Sequence, residues 1–114
     1  MRFYLRSKIH MATVTEAKID YIGSITIDKN LVEKAGFREG EKVAVWDVSN
    51  GERLETYIIL GKKDSGIICM NGAAARKIKK GHKVIVAGFE LAKNKIKPKI
   101  ILVNKNNKFI RYLK

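Results

Sequence analysis

A repeat at a spacing of 41 residues constrains this chain more than any other feature. Ser24-Ile25-Thr26-Ile27 falls on Ser65-Gly66-Ile67-Ile68, and Gly40-Glu41-Lys42-Val43-Ala44-Val45 falls on Gly81-His82-Lys83-Val84-Ile85-Val86. A helical segment lies between the matched ends of each copy, at 28–35 and 71–78. Each unit therefore reads strand, short helix, Gly-x-Lys-Val turn, strand. Two units are too few for a solenoid, which needs at least three to bury a continuous core. They suit a small barrel with internal pseudo-two-fold symmetry. Few matched positions are strict identities, so chance similarity is the competing explanation.

Alternation and β-branched content supply the remaining strands: Met11–Thr15, Leu54–Leu60 and Lys99–Val103, with Phe109–Tyr112 less regular. Asn50-Gly51 between apolar runs predicts a hairpin joining Val43–Val48 to Arg53–Leu60. Asp28 reads as the N-cap of the first helix and Gly36 as its stop. The polar segment 93–98 ends in the only proline and reads as a loop. With 114 residues, 46% of them hydrophobic, the chain can bury a core without metal or cross-links. The expectation is one mostly β barrel domain over 1–114, with six or more strands and short helices.

The single cysteine, Cys69, excludes an intrachain disulfide framework and points to a reducing, cytoplasmic setting. No apolar run reaches membrane-spanning length, and the opening residues do not read as a leader. Charge is uneven. Residues 1–57 hold nine basic and nine acidic side chains, whereas 58–114 hold fifteen basic ones against Asp64 and Glu90 alone. The whole net charge of +13 therefore sits in the second half. Such a surface can track nucleic-acid phosphates, draw in an anionic substrate, or simply be solvated.

Gly23-Ser24 stands among strand-forming residues, with Tyr21-Ile22 before it and Ile25-Thr26-Ile27 after it. Glycine there can take backbone angles closed to other residues, and the Ser24 hydroxyl lies beside the Gly23 carbonyl it could attack. Taken alone, the dipeptide is common and reads first as a bulge or turn. Asn71 reads as an N-cap followed by Gly72, Ala73 and Ala74, small residues that leave first-turn amides open to a carboxylate. Close packing of a short helix is the plainer explanation. In Arg53-Leu54-Glu55-Thr56-Tyr57, Arg53, Glu55 and Tyr57 share one strand face, and Leu54 and Thr56 the other. Arginine can hold a carboxylate through two parallel hydrogen bonds. A desolvated tyrosine can return a proton to a carbanion. Lys8 and His10, two apart, point the same way from an extended segment. Cys69, His10 and His82 stand isolated, with no metal-ligand spacing, and no phosphate-binding loop or nucleophile elbow is present.

These pieces occur together, in this order, in one family. Lys8-Ile9-His10, Ala12–Thr15, Tyr21–Asp28, Asn50–Ile59, Gly66–Ala75 and Pro98-Lys99 carry the match, and over nearly its whole length the chain resembles the bacterial pyruvoyl-dependent aspartate 1-decarboxylases. The resemblance implies a six-stranded double-psi β-barrel, assembled as a homotetramer with active sites between subunits. It also implies self-cleavage between Gly23 and Ser24, giving chains 1–23 and 24–114, with Ser24 converted to a covalent pyruvoyl group. The implied reaction takes L-aspartate through a Schiff base to β-alanine for pantothenate synthesis, with no metal and no pyridoxal phosphate. By the same resemblance Arg53 binds a substrate carboxylate, Tyr57 is the proton donor, and Thr56 serves both substrate binding and cleavage. Gly72, Ala73 and Ala74 hold carboxylate oxygens through their amides, while Lys8, His10, Tyr21, Trp46, Asn71 and Ile85 support the pocket. Whether a maturation partner is needed stays open. The chain departs from the family in its short, strongly basic C-terminal region, where many relatives carry acidic residues. Two rival readings are a basic nucleic-acid-binding barrel, whose binding would weaken steeply with salt, and an uncleaved, non-catalytic relative.

Overall fold

Nine strands lie in one continuous hydrogen-bonded sheet: β1 (Arg2–Thr13), β2 (Glu16–Lys18), β3 (Ser24–Asp28), β4 (Lys42–Asp47), β5 (Arg53–Gly61), β6 (Ile68–Asn71), β7 (Lys83–Ala92), β8 (Lys99–Val103) and β9 (Phe109–Leu113). The computed structural model describes residues 1–114 and adds one α-helix, α1 (Lys29–Ala35), and one 3-10 helix, Gly72–Arg76. No helix is long and apolar enough to cross a membrane.

The sheet closes because β1 and β2 are two halves of one interrupted strand. At the interruption the Val14 amide donates to the His82 carbonyl (2.9 Å) and the Thr15 amide to the Ile68 carbonyl (2.8 Å). The first half thus lies on β7 and the second on β6. Around the ring the order is β1/β2, β6, β3, β5, β4, β7 and back to β1, six strands in all. Pseudo-two-fold symmetry is visible in the pairing. The antiparallel pairs β3–β6 and β4–β7 each join equivalent strands. Parallel β3–β5 is answered by parallel β6–β2, and antiparallel β4–β5 by antiparallel β7–β1. This is the six-stranded barrel expected from the sequence. Strands β8 and β9 are appended outside it, β8 running parallel to Ser7–His10 of β1.

Alternation puts one face of each barrel strand inside. Ile25, Ile27, Val43, Val45, Ile58, Ile68, Met70, Val84 and Val86 are all fully buried, and α1 adds Leu31, Val32 and Ala35 to the same core. Each large side chain so buried contributes about 1.5–3 kcal/mol. The Asp28 carboxylate caps α1 through the Asn30 amide and also accepts from the Asp64 and Gly66 amides, at 2.8–2.9 Å. One carboxylate thereby ties the start of α1 to the loop that feeds β6. Gly36 ends α1 with φ 77°, as its position predicted.

Three expectations need correction. The second helix is not an eight-residue segment over 71–78 but a 3-10 turn, Gly72–Arg76. Gly72 has φ 68°, which no α-helix accommodates. The repeat spacing holds at the Gly40 and Gly81 turns, but β3 starts at Ser24 and β6 only at Ile68, so Ser65 sits in a loop and is not the equivalent of Ser24. Finally, β1 begins at Arg2, well before Met11.

Candidate functional site

The site arises where β5 has lost a neighbour. Strand β3 pairs with β5 only from Ile25 opposite Ile58 onward, so Arg53–Tyr57 has a free edge on that side. Both faces of that edge border a cleft of about 410 Å³, in which Gly23, Thr56, Tyr57, Asn71, Ala73 and Ala74 meet. Leu54, Glu55 and Lys77 complete its lining. In the sequence these groups lie on three separate segments.

The floor of the site is one face of the β3–β6 pair. Ser24 stands directly opposite Asn71, and Thr26 opposite Cys69. Ser24 is wholly buried, while Gly23 beside it is exposed. Asn71 Nδ2 donates to Ser24 Oγ at 2.8 Å and to Thr26 Oγ1 at 2.9 Å, and Cys69 Sγ donates to Asn71 Oδ1 at 3.2 Å. Asn71 therefore does not act as the expected N-cap, for its side chain makes no capping bond. Its amide belongs to Ser24. Thr26 and Cys69 were missed as members of this network. The period-2 alternation along β3 and β6 was the signal that could have found them.

Gly72 sits closer to the Gly23–Ser24 junction than its reading as an amide donor suggested. A Cβ at Gly72 would lie 2.7 Å from Gly23 Cα, 2.8 Å from Gly23 N and 2.8 Å from the Tyr21 carbonyl oxygen. The glycine is thus required twice, by its left-handed φ and by the backbone against it. Gly23 itself does not use glycine's freedom: its φ is not left-handed, and an added Cβ would meet only the Asn71 carbonyl, at 3.9 Å. Tyr21 is 60% exposed and packs under the Lys18 ammonium, 4.8 Å from its ring centroid.

The remaining predicted residues lie on the outer face of the sheet and do not line the cleft. Trp46 stands across from Arg53 on β5 and from Ile85 on β7, and the Arg53 guanidinium lies 4.6 Å over the Trp46 ring. Lys8, opposite Ala87, continues this face onto β1, and His10 follows two residues on. Phe3, Phe89 and Leu91 expose large apolar side chains near the β1 and β7 ends of that sheet. Burial, and then the charge of Lys8, hold His10 below its usual pKa of 6.5. As pH falls the unfolded chain then binds the proton first, so stability held above pH 6.5 is lost progressively toward the lower folded value. A proton NMR titration is expected to place the His10 midpoint below 6.5; a midpoint at or above it would remove both causes.

A family model described as aspartate decarboxylase matches residues 1–110. An aspartate 1-decarboxylase of Clostridium botulinum (strain 657 / Type Ba4) is 56% identical over 108 residues, covering 90% of this chain and 85% of the relative. One from Caldicellulosiruptor saccharolyticus is 53% identical over 111 residues, covering 94% and 87%. The crystal structure of the computationally designed msDPBB_sym2 protein aligns with a TM-score of 0.45 and 17% identity, covering 75% of this chain and 96% of that one, a likeness too slight to bear on the fold.

Proposed function

This chain belongs to the aspartate decarboxylase family and is an enzyme of that class, and we propose that it converts L-aspartate to β-alanine and carbon dioxide with a pyruvoyl group made from its own Ser24. The observation that carries the reading is a buried Ser24 hydroxyl, held by Asn71 and joined to an exposed Gly23 at the mouth of a cleft. The surroundings fit the formation of that group: an Asn71 N–H already points at the Ser24 Oγ that must attack and then leave, and no side chain crowds Gly23.

In the proposed maturation, Ser24 Oγ attacks the Gly23 carbonyl carbon and the Gly23–Ser24 C–N bond breaks, leaving an ester and a free amine at Ser24. Loss of the Ser24 α-proton then breaks the Cβ–Oγ bond. Oγ departs within the new Gly23 carboxylate, and residue 24 becomes dehydroalanine. One water hydrolyses its imine tautomer, releasing ammonia and leaving the pyruvoyl group on chain 24–114. In the attack negative charge moves onto the Gly23 carbonyl oxygen, and in the elimination it builds up on Oγ as that atom leaves within the carboxylate, where the Asn71 N–H stabilises it. Thr56, on the cleft wall beside Gly23, polarises the Gly23 carbonyl.

The pyruvoyl carbonyl supplies the electron sink that decarboxylation requires and that no ordinary side chain offers. Arg53 holds a substrate carboxylate, and the amides of Gly72, Ala73 and Ala74 hold carboxylate oxygens at the opposite wall. A 3-10 turn of five residues adds little dipole, so those amides act as individual donors. Tyr57, 39% exposed at the cleft rim, returns the proton to the α-carbon. Because Arg53, Trp46, Ile85, Lys8 and His10 share an outer face away from their own cleft, a second copy presenting that face completes the site. The proposed assembly is the homotetramer, with Phe3, Phe89 and Leu91 suited to burial between copies.

A denaturing mass measurement tests the reading. Two chains, the larger beginning with a pyruvoyl group at position 24, and β-alanine formed from aspartate are expected. A single intact mass after prolonged warm incubation, with no β-alanine, would sink it. Tyr57→Phe should cleave normally yet turn over about a hundredfold or more slowly, as loss of a positioned proton donor implies. Undiminished turnover would remove Tyr57 from that role.

A further inference from the structure

Cys69 stands alone in the sequence but has a defined partner in the fold. Cys69 and Asn71 share the outer face of β6, and both are buried, at 3% and 2% exposure. Cys69 Sγ lies 3.2 Å from Asn71 Oδ1, nearer than the other acceptor in reach, the Met70 carbonyl at 3.8 Å. The two Asn71 N–H groups go to Ser24 Oγ and Thr26 Oγ1. Both N–H groups of this buried amide are bonded, and the thiol is the donor on its oxygen side.

We propose that Cys69 is a positioning residue for self-cleavage: its S–H fixes the Asn71 amide so that N–H, and not C=O, faces Ser24 Oγ. The inference rests on the maturation reading above. Hydroxyls both donate and accept, so Ser24 and Thr26 alone would accept the amide in either sense. The third position decides. A thiol donates to Oδ1 readily, whereas its sulfur is a weak acceptor for a reversed NH₂. The sense matters because charge develops on Oγ: an N–H stabilises it and a carbonyl oxygen would oppose it. Burial, reinforced by Glu16 and opposed by Lys18, pushes the Cys69 thiol up, so it keeps the hydrogen it donates.

Cys69→Ser retains a donor, and Cys69→Val removes it at similar volume. In the intact precursor followed by denaturing mass, Cys69→Val is expected to cleave about tenfold more slowly, the worth of one hydrogen bond. Cys69→Ser, whose hydroxyl donates to Oδ1 but also accepts a reversed NH₂, should be slowed only about two- to threefold, as the productive sense is shared with the reversed one. Cys69→Ser should melt near the parent temperature and Cys69→Val below it, because Asn71 Oδ1 is left unpaired. Equal rates for Cys69→Val and the parent, or equal slowing in both variants, would overturn the proposal. Since the chain has one cysteine, its Raman S–H band reads the bond directly, independently of any cleavage. The band should lie lower in the folded protein than in denaturant and move back up in Asn71→Ala. An unshifted band would remove the hydrogen bond, and with it the proposal. A shifted band in a parent chain that never cleaves would leave the bond standing and overturn the maturation reading and the role drawn from it.

Discussion

Ser24→Ala is expected to leave a folded, uncut chain of 114 residues that releases no carbon dioxide from aspartate. The substitution removes one oxygen from a fully buried position and introduces nothing larger. Its structural cost is confined to Asn71, one of whose N–H groups loses its acceptor. A buried donor left unpaired costs about 1–3 kcal/mol, below the margin of about 5–15 kcal/mol that holds a domain of this size together. The barrel core, built from the opposite faces of β3 and β6, is untouched, because Ile25, Ile27, Ile68 and Met70 point away from Ser24. Chemistry, by contrast, disappears entirely: there is no Oγ to carry the Gly23 acyl group and no hydroxyl to eliminate. Intact mass together with a cooperative melt would establish both halves. Carbon dioxide release from this variant would mean that the electron sink comes from elsewhere, and the maturation scheme would fall.

The barrel was legible because its signals are local and periodic. The Asn50-Gly51 turn, the Asp28 and Gly36 caps and the alternating strands each follow from side chains within a few residues of one another. What escaped depends on interruptions or on distant partners. Two register shifts in β1, one of them around Met11 with φ 62°, break the period of two, so the segment before it did not read as strand. Three alanines after Asn71 have high helix propensity, yet the left-handed Gly72 prevents an α-helix from starting there. In the site, family resemblance named Ser24, Thr56, Tyr57 and Asn71, and the fold gathers them around one cleft and its floor. Arg53 and Trp46 were named beside them, but Arg53, on the same face as Tyr57, stands at the end of the strand far from β3, paired with Trp46 and outside the cleft lining. The hydrogen bond of Cys69 could not be read from the sequence, since its partner is chosen by alternation on β6 and its place beside Ser24 by the β3 register.

Gly72→Ala should slow self-cleavage about a hundredfold while leaving the protein folded, since displacing reacting groups by about 1 Å has that scale of effect. Two costs enter. Holding alanine at φ 68° is unfavourable by about 1–2 kcal/mol, which lowers the melting temperature. The second cost bears on the chemistry. The new methyl would sit 2.7–2.8 Å from Gly23 Cα, Gly23 N and the Tyr21 carbonyl oxygen, all backbone atoms with no side chain able to swing aside. Relief requires the 21–23 segment to move, and with it the Gly23 carbonyl that Ser24 Oγ must reach. Ser24 cannot follow, because the β3–β6 register and Asn71 hold it in place. Gly40→Ala separates the two costs. Gly40 has φ 80° and open space around its Cβ position, so it carries the strain without the collision. It should therefore melt lower yet cleave at the parent rate. If Gly72→Ala and Gly40→Ala cleave alike, contact between Gly72 and Gly23 has no part in maturation, and Gly72 is required only for its backbone conformation.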